Sequence, residues 1–220
     1  MYDLALFPLN TVLFPGIPIQ LHIFEPRYKL MIQRCMQENR PFGVVLIRQG
    51  VEAFGPLADP YPVGCSARIV QIDTLENDTY NITAMGDTRF RIMSLAREKE
   101  PYLTGEVEDF LFSDPTSIQV RQIIRTLHRP VHTYLRQLRE IDNFEFDFGE
   151  VQLPDEPQML LYLAAALLQI PPLEKQPLLA AESTQDLARQ IYRLYQRENA
   201  LLPWSKRFED PDAERAAWLN

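Results

Sequence analysis

Residues 4–38, LALFPLNTVLFPGIPIQLHIFEPRYKLMIQRCMQE, decide the fold, because they read without interruption as strand, tight turn, strand and amphipathic helix. The first strand covers Leu4 to Phe7, and Pro8 is expected to end it, since proline has no N–H to give to a ladder. In Phe14-Pro15-Gly16, proline presets φ for the second position of a turn and glycine allows positive φ at the next, the signature of a type II turn. Ile17, Ile19, Leu21 and Ile23 then alternate with Pro18, Gln20 and His22, so one face of the second strand is apolar and Pro18 marks an edge strand or the start of one. The helix opens at Glu25-Pro26, where a missing N–H costs nothing. Its core stripe is Tyr28, Met31, Ile32, Cys35 and Met36.

Outward from this stretch, Phe42 to Arg48 is a continuous apolar run, a strand buried on both faces. Residues 49–63, QGVEAFGPLADPYPV, carry little periodicity and form a long loop. Strands follow at Gly64–Leu75, Thr79–Met85, Arg89–Ser94 and Tyr102–Phe112, with Gly86-Asp87 read as a break between the second and third. Short turns imply antiparallel pairing, and about seven strands with one early helix suggest a small, partly closed barrel. At Asp114-Pro115 the period changes from 2 to 3.6, with aspartate as N-cap. Val120, Ile124, Leu127, Val131, Leu135 and Leu138 mark one long helix, which Pro130 is expected to kink or break near Arg129. An acidic, phenylalanine-bearing segment, 140–156, precedes a helix that Pro157 starts and that is apolar on every side. A short helix spans Leu173 to Ala181. Ser183 then caps a last helix carrying Leu187, Ile191, Leu194 and Leu201, with Asp186 placed as in a capping box. The expected organisation is α+β: a β-barrel over 1–112, a helical bundle over 113–202 and a tail over 203–220.

Three stretches together carry a family resemblance. The LALFPLNTVLFPG turn with FEPRYKLMI comes first, YPVGCSARIVQI with TYNITAMGDTRFRI and YLTGEVEDF second, and KQPLLAAESTQDLARQIYRLYQRENALL third. In that order they resemble the amino-terminal, substrate-binding domain of Lon proteases. The resemblance implies a PUA-like β pseudobarrel followed by an α-helical bundle, in a stand-alone form without the ATPase and peptidase domains. It also implies a noncatalytic role, binding unfolded or client polypeptides as an adaptor in protein quality control or proteolysis. The alternative function is an RNA-binding PUA-like module.

Composition and motifs bound these functions. Lys plus Arg is 22 against 30 Asp plus Glu, and residues 1–112 alone hold 10 against 14. Neither half is cationic, which argues against nucleic acid and anionic membranes. None of the four lysines precedes Ser or Thr, so there is no P-loop. His128 and His132 have a metal-ligand spacing, but HRPVH lacks the glutamate of H-E-x-x-H and holds a proline, so no metal is expected. His22 has no partner in reach by sequence. Cys35 and Cys65 read as buried thiols of a reducing cytoplasm, and the longest apolar run, Met159–Leu168, is too short to span a bilayer. No catalytic residue, cofactor or metal site is assigned. The expected partners are polypeptide clients or a protease or chaperone. An edge strand over 17–23 can accept an extended peptide by strand addition. The expected contacts are Phe14, Ile17, Phe24, Phe54 and Tyr61, with segment 140–156 as a second candidate surface.

Overall fold

In a computed structural model, residues 1–53, 55, 57–75, 78–113, 118–140 and 153–208 are described. Among these residues seven strands precede most of the helices: β1 (Tyr2–Leu9), β2 (Pro18–Ile23), β3 (Phe42–Gln49), β4 (Asp59–Pro60), β5 (Val63–Thr74), β6 (Tyr80–Ala96) and β7 (Leu103–Asp109). The helices are α1 (Pro26–Gln37), between β2 and β3, and then α2 (Ile118–Arg139), α3 (Pro157–Leu167), α4 (Pro172–Leu179) and α5 (Thr184–Phe208). This is the expected α+β class.

Five strands close on themselves. β1 pairs with β7, β7 with β6, β6 with β5 and β5 with β3, all antiparallel, and β3 returns to β1 as a parallel ladder from Leu6↔Gly43 to Leu9↔Leu46. The parallel pair has no hairpin signal, because α1 crosses between its strands. Inside sit Leu4, Leu6, Val45, Phe90, Leu103 and Val107. β3 is buried along Phe42–Ile47, as its apolar run implies.

Two expectations about breaks are corrected. Pro8 lies within β1, opposite Val45, because β7 pairs only as far as Leu6 and proline's lost N–H falls where the strand has one neighbour. Gly86-Asp87 does not interrupt β6, which runs 17 residues without a gap. The glycine answers to close packing instead: a Cβ there would stand 2.3 Å from the carbonyl oxygen of Phe14. Gly16 N–H donates to the Gly86 carbonyl at 2.8 Å, and Gly86 N–H donates to the Ile17 carbonyl at 3.0 Å. The type II turn is as expected, with Gly16 at φ 73° and Ile17 N–H donating to the Phe14 carbonyl.

α1 starts on Pro26 and packs Tyr28, Met31, Ile32 and Cys35 inward, with Phe7 stacked on Tyr28 at 4.1 Å. Met36, the last member of the expected stripe, is 45% exposed, because α1 ends one residue later and leaves that position past the packed face.

The chain divides into two compact units, Met1–Ser113 with Ala165–Glu182, and Asp114–Ala164 with the chain from Ser183 on. In the first, Arg89 is 2% exposed. Its guanidinium donates to the carbonyls of Leu179 at 2.9 Å and Ala181 at 2.7 Å, where α4 ends, and lies 3.7 Å over the Phe112 ring and 4.7 Å over Phe110. A cation there meets the negative end of the helix dipole and two π faces. The Gln176 amide donates to the Val63 carbonyl at 2.9 Å and fixes the same helix to β5.

In the second unit, α2 runs through Pro130 without a break. Leu127, Val131, Leu135 and Leu138 are buried as expected, whereas the side chains of Val120 and Ile124 and the N-cap at 114 lie outside the described residues. Tyr134 meets Tyr195 edge to face at 5.3 Å, and the Tyr195 hydroxyl donates to the Ala164 carbonyl at 2.7 Å. Along α5 the core is Leu187, Ala188, Ile191 and Tyr195. Leu201 is 54% exposed. Ser183 caps α5, accepting from Asp186 N–H at 3.1 Å. The Asp186 carboxylate accepts from Gln190 rather than completing the capping box.

Two predictions follow from this core. Replacing Arg89 by Ala leaves two helix-end carbonyls without their donor and a gap between two rings, and is expected to cost about 3 kcal/mol in urea unfolding. Lys at 89 restores only part of this, since one ammonium cannot reproduce the planar fork. Burial also pushes the Cys35 thiol up to about 11 and Cys65 to about 12, from an ordinary 9.0. Above pH 9 the unfolded thiols lose protons that the folded ones keep, so stability falls as pH rises toward 11–12, by at most about 1.4 kcal/mol per unit per thiol. Comparing the unfolding of wild type and C35A/C65A between pH 8 and 11 isolates this slope. The comparison cancels groups such as Lys175, which burial lowers to about 8 and which acts in the opposite direction.

Candidate polypeptide-binding surface

The half of β6 from Tyr80 to Met85 pairs with β5 on one side and with β2 on the other, which makes a three-stranded arm attached to the barrel. Backbone direction within the arm is fixed by two bonds. Gly86 N–H to the Ile17 carbonyl puts the even residues of β6 on β2, and Leu75 N–H to the Thr79 carbonyl puts the odd ones on β5. Among the described residues β2 has no second neighbour, and β5 has none beyond Ala67, where its pairing with β3 ends. The backbone groups of Pro18, Gln20 and His22 therefore point outward from β2, and those of Ile72 and Thr74 outward from β5. Pro18 sits where its missing N–H breaks no bond to β6.

The two faces of the arm differ. Ile19, Leu21 and Ile23 register with Ala84, Ile82 and Tyr80 on the apolar face. Gln20 and His22 register with Thr83 and Asn81 on the other, where they line a polar cleft with Gln71 and Asp73. His22, without a partner by sequence, meets the Asn81 side-chain oxygen at 2.8 Å and stacks on Phe24 at 5.8 Å.

The described members of the expected contact set, Phe14, Ile17, Phe24 and Tyr61, differ in exposure. Phe14 is 1% exposed and belongs to the core, in a turn whose Gly16 N–H is bonded to the Gly86 carbonyl of β6. Ile17 is half-buried at the start of β2, and Phe24 is 38% exposed past its end. They bracket the strand at a separation of about 23 Å along it. Tyr61 is half-buried and tied to β3 through its N–H on the Leu46 carbonyl. Phe54 and residues 141–152 of the acidic segment lie outside the described residues.

The sequence reading missed a second apolar surface. β5 gains one residue against β6 between Ile69 and Gln71, and the bulged Val70 is 60% exposed. Val70 lies with Met36 in a groove between the end of α1 and β5. Strict alternation hides a bulge, so no signal at Val70 marked it.

Charge chemistry is quiet throughout the barrel. Its ten basic residues are each ion-paired or buried: Arg27 with Glu25, Lys29 with Asp78, Arg34 with Glu100, Arg40 with Glu38, Arg48 and Arg97 with Asp59, Arg68 with Asp87, Arg91 with Glu182, Lys99 with Asp3, and Arg89 in the core. Among the described residues no group of three or more His, Cys, Asp or Glu could hold a metal, and no helix is long and apolar enough to cross a membrane. His128 is half-buried and His132 exposed on α2.

Comparison with known proteins gives this geometry a context. A family model described as the ATP-dependent protease La (LON) substrate-binding domain matches residues 3–197. Lon protease 2 of Myxococcus xanthus is 27% identical over 210 residues, which cover 94% of this chain and 25% of that protein. The Lon protease of Syntrophus aciditrophicus (strain SB) is 30% identical over 119 residues, 50% of this chain and 15% of that one. The chain spans about a quarter of the length of the curated relatives it matches over most of its own. In structure it is similar to a Lon N-terminal domain protein from Xanthomonas campestris, with TM-score 0.63, 23% identity, and 88% and 98% of the two chains covered. It is also similar to the N-terminal domain of Mycobacterium avium complex Lon protease, with TM-score 0.65, 14% identity, and 89% and 98% covered. At such identities the structures speak for the fold.

Proposed function

Since the chain belongs to the family of Lon substrate-binding domains, we propose that it binds extended or unfolded polypeptide and serves proteolysis whose chemistry is carried out elsewhere. The observation that carries this reading is the arm, whose two outer strands turn backbone N–H and C=O groups away from the sheet. An unfolded chain supplies the complementary row of groups at every second residue, whatever its sequence. Ile17 and Phe24 are the proposed flanking contacts at the β2 edge.

The absence of a catalytic role is part of the same proposal. Both thiols are buried with raised pKa, which leaves them protonated and out of reach as nucleophiles near neutrality. Unpaired thiols also suit a reducing compartment, and we place the protein in the cytoplasm on that ground. RNA is the weaker ligand, because residues 1–112 hold 10 Lys and Arg against 14 Asp and Glu, and phosphate binding relies on an excess of cations that can displace counterions.

The test is fluorescence anisotropy with a reduced, carboxymethylated polypeptide that cannot fold, and with a labelled single-stranded RNA. The expected result is micromolar binding of the polypeptide, about −8 kcal/mol, little changed between 50 and 200 mM salt. Tight RNA binding that falls about 10³-fold over the same range, with no competition from unfolded polypeptide, would overturn the proposal.

A further inference from the structure

The groove between the end of α1 and the outer edge of β5 differs from the β2 edge in having selective walls. Met36, Ile69, Val70 and Ile72 supply apolar surface, and Arg40 and Arg68 are the charged residues of its lining, with no carboxylate among them. Both are already ion-paired, Arg40 with Glu38 at 3.3 Å and Arg68 with Asp87 at 2.9 Å. Arg68 bonds Asp87 through Nε at 2.9 Å, and this single hydrogen bond engages one of the five N–H donors of a guanidinium. Its remaining fork has the geometry that takes a carboxylate through two parallel bonds. Beside these side chains the backbone groups of Ile72 and Thr74 point out from β5, by the phase that the Leu75–Thr79 bond sets.

From this juxtaposition we infer that the groove is a specific peptide seat, which takes an extended segment as an added strand on β5. The segment carries aliphatic side chains at alternate positions and an Asp or Glu side chain that reaches Arg68. The inference rests on the polypeptide-binding reading and narrows it to a substrate class. Alternation decides the selection. In a strand added to β5, every second side chain falls on the apolar face, where Ile72 and Met36 lie, and the intervening ones fall on the side of Gln71 and Asp73. Phosphate groups could meet the same arginine fork, but they offer nothing to the strand edge.

The probe is a ten-residue amidated peptide of alternating Val and Thr with one Glu, compared with the same peptide bearing Lys, both read by anisotropy on the full chain. Val70→Asp and Met36→Asp change exposed side chains, and each is expected to weaken the Glu peptide at least tenfold. Thr74→Pro removes an outward N–H without touching the ladder to β6 and is expected to do the same, while Gln20→Pro, its counterpart on β2, leaves binding unchanged. The Lys peptide is expected to bind at least fivefold more weakly, and Arg68→Gln to erase that difference. Thermal melts confirm folding, and if Thr74→Pro does not fold, the two Asp variants decide. Wild-type affinity in Val70→Asp and Met36→Asp overturns the inference. So does loss of binding in Gln20→Pro alone, which leaves the broader reading intact at the other edge, and so does equal binding of the Glu and Lys peptides. Failure of the wild type to bind any unfolded polypeptide sinks the broader reading itself.

Discussion

β6 is longer than the barrel it helps to close, and its backbone groups must still be satisfied along all 17 residues. Its second half does so as barrel wall, between β5 and β7. Its first half needs two partners beyond the wall, and it finds them in β2 and the far end of β5. The arm is thus a by-product of hydrogen-bond satisfaction in one strand. What satisfies β6 passes the unsatisfied edge outward to β2 and β5. The changeover lies at Gly86, where only a residue without a side chain lets the 14–17 turn bond across the strand. Three residues on, Arg89 leaves the same strand to hold the end of α4.

The edges are shaped as well as open. Pro18 on β2 and the bulge at Val70 on β5 are both devices that blunt a strand against indiscriminate pairing. On β2 the proline removes a donor and adds no recognition surface. On β5 the bulge turns an apolar side chain into a groove that also holds Met36 and Arg68. On the proposed role, an edge blunted against flat, regular partners and walled on one side would favour single extended segments over sheet stacking.

Much of the fold was legible because it is written in local chemistry. Alternation in 17–23, proline and glycine at the 14–17 turn, Pro26 at the first helical position and Ser183 at a cap each have one backbone solution, and the structure adopts it. Illegible features share a physical cause, in that they depend on residues distant in sequence. Pro8 breaks a strand only if a neighbour requires its N–H, and the extent of β7 decides that. Gly86 signals a break or a close approach equally well until Phe14 is placed over it. Arg89 alternates with Phe90, so pattern alone turns it toward water, yet α4 and two phenylalanines, all more than 20 residues away from it in sequence, build a polar seat for it. Of the candidate contacts, aromatic character drew attention to Phe14, which the core claims, while the exposed Val70 and Met36 were hidden by a bulge and by a helix end.

The residues that carry the family likeness are mostly engaged in holding the fold. In FEPRY, Glu25 and Arg27 pair at 2.9 Å, Arg27 also donates to the Gly55 carbonyl of the long loop, and Tyr28 stacks on Phe7. Pro26 starts the helix, and Phe24 is 38% exposed. A motif of this kind identifies an architecture because its members satisfy one another. Side chains that are satisfied internally have little left for a ligand, so recognition has to come from groups the fold leaves over: outward amides on β2 and β5, a bulged valine, a methionine past the end of its helix and an arginine with one bond made. On the proposed polypeptide-binding role, selectivity would then reside in positions that can change at little cost to the barrel.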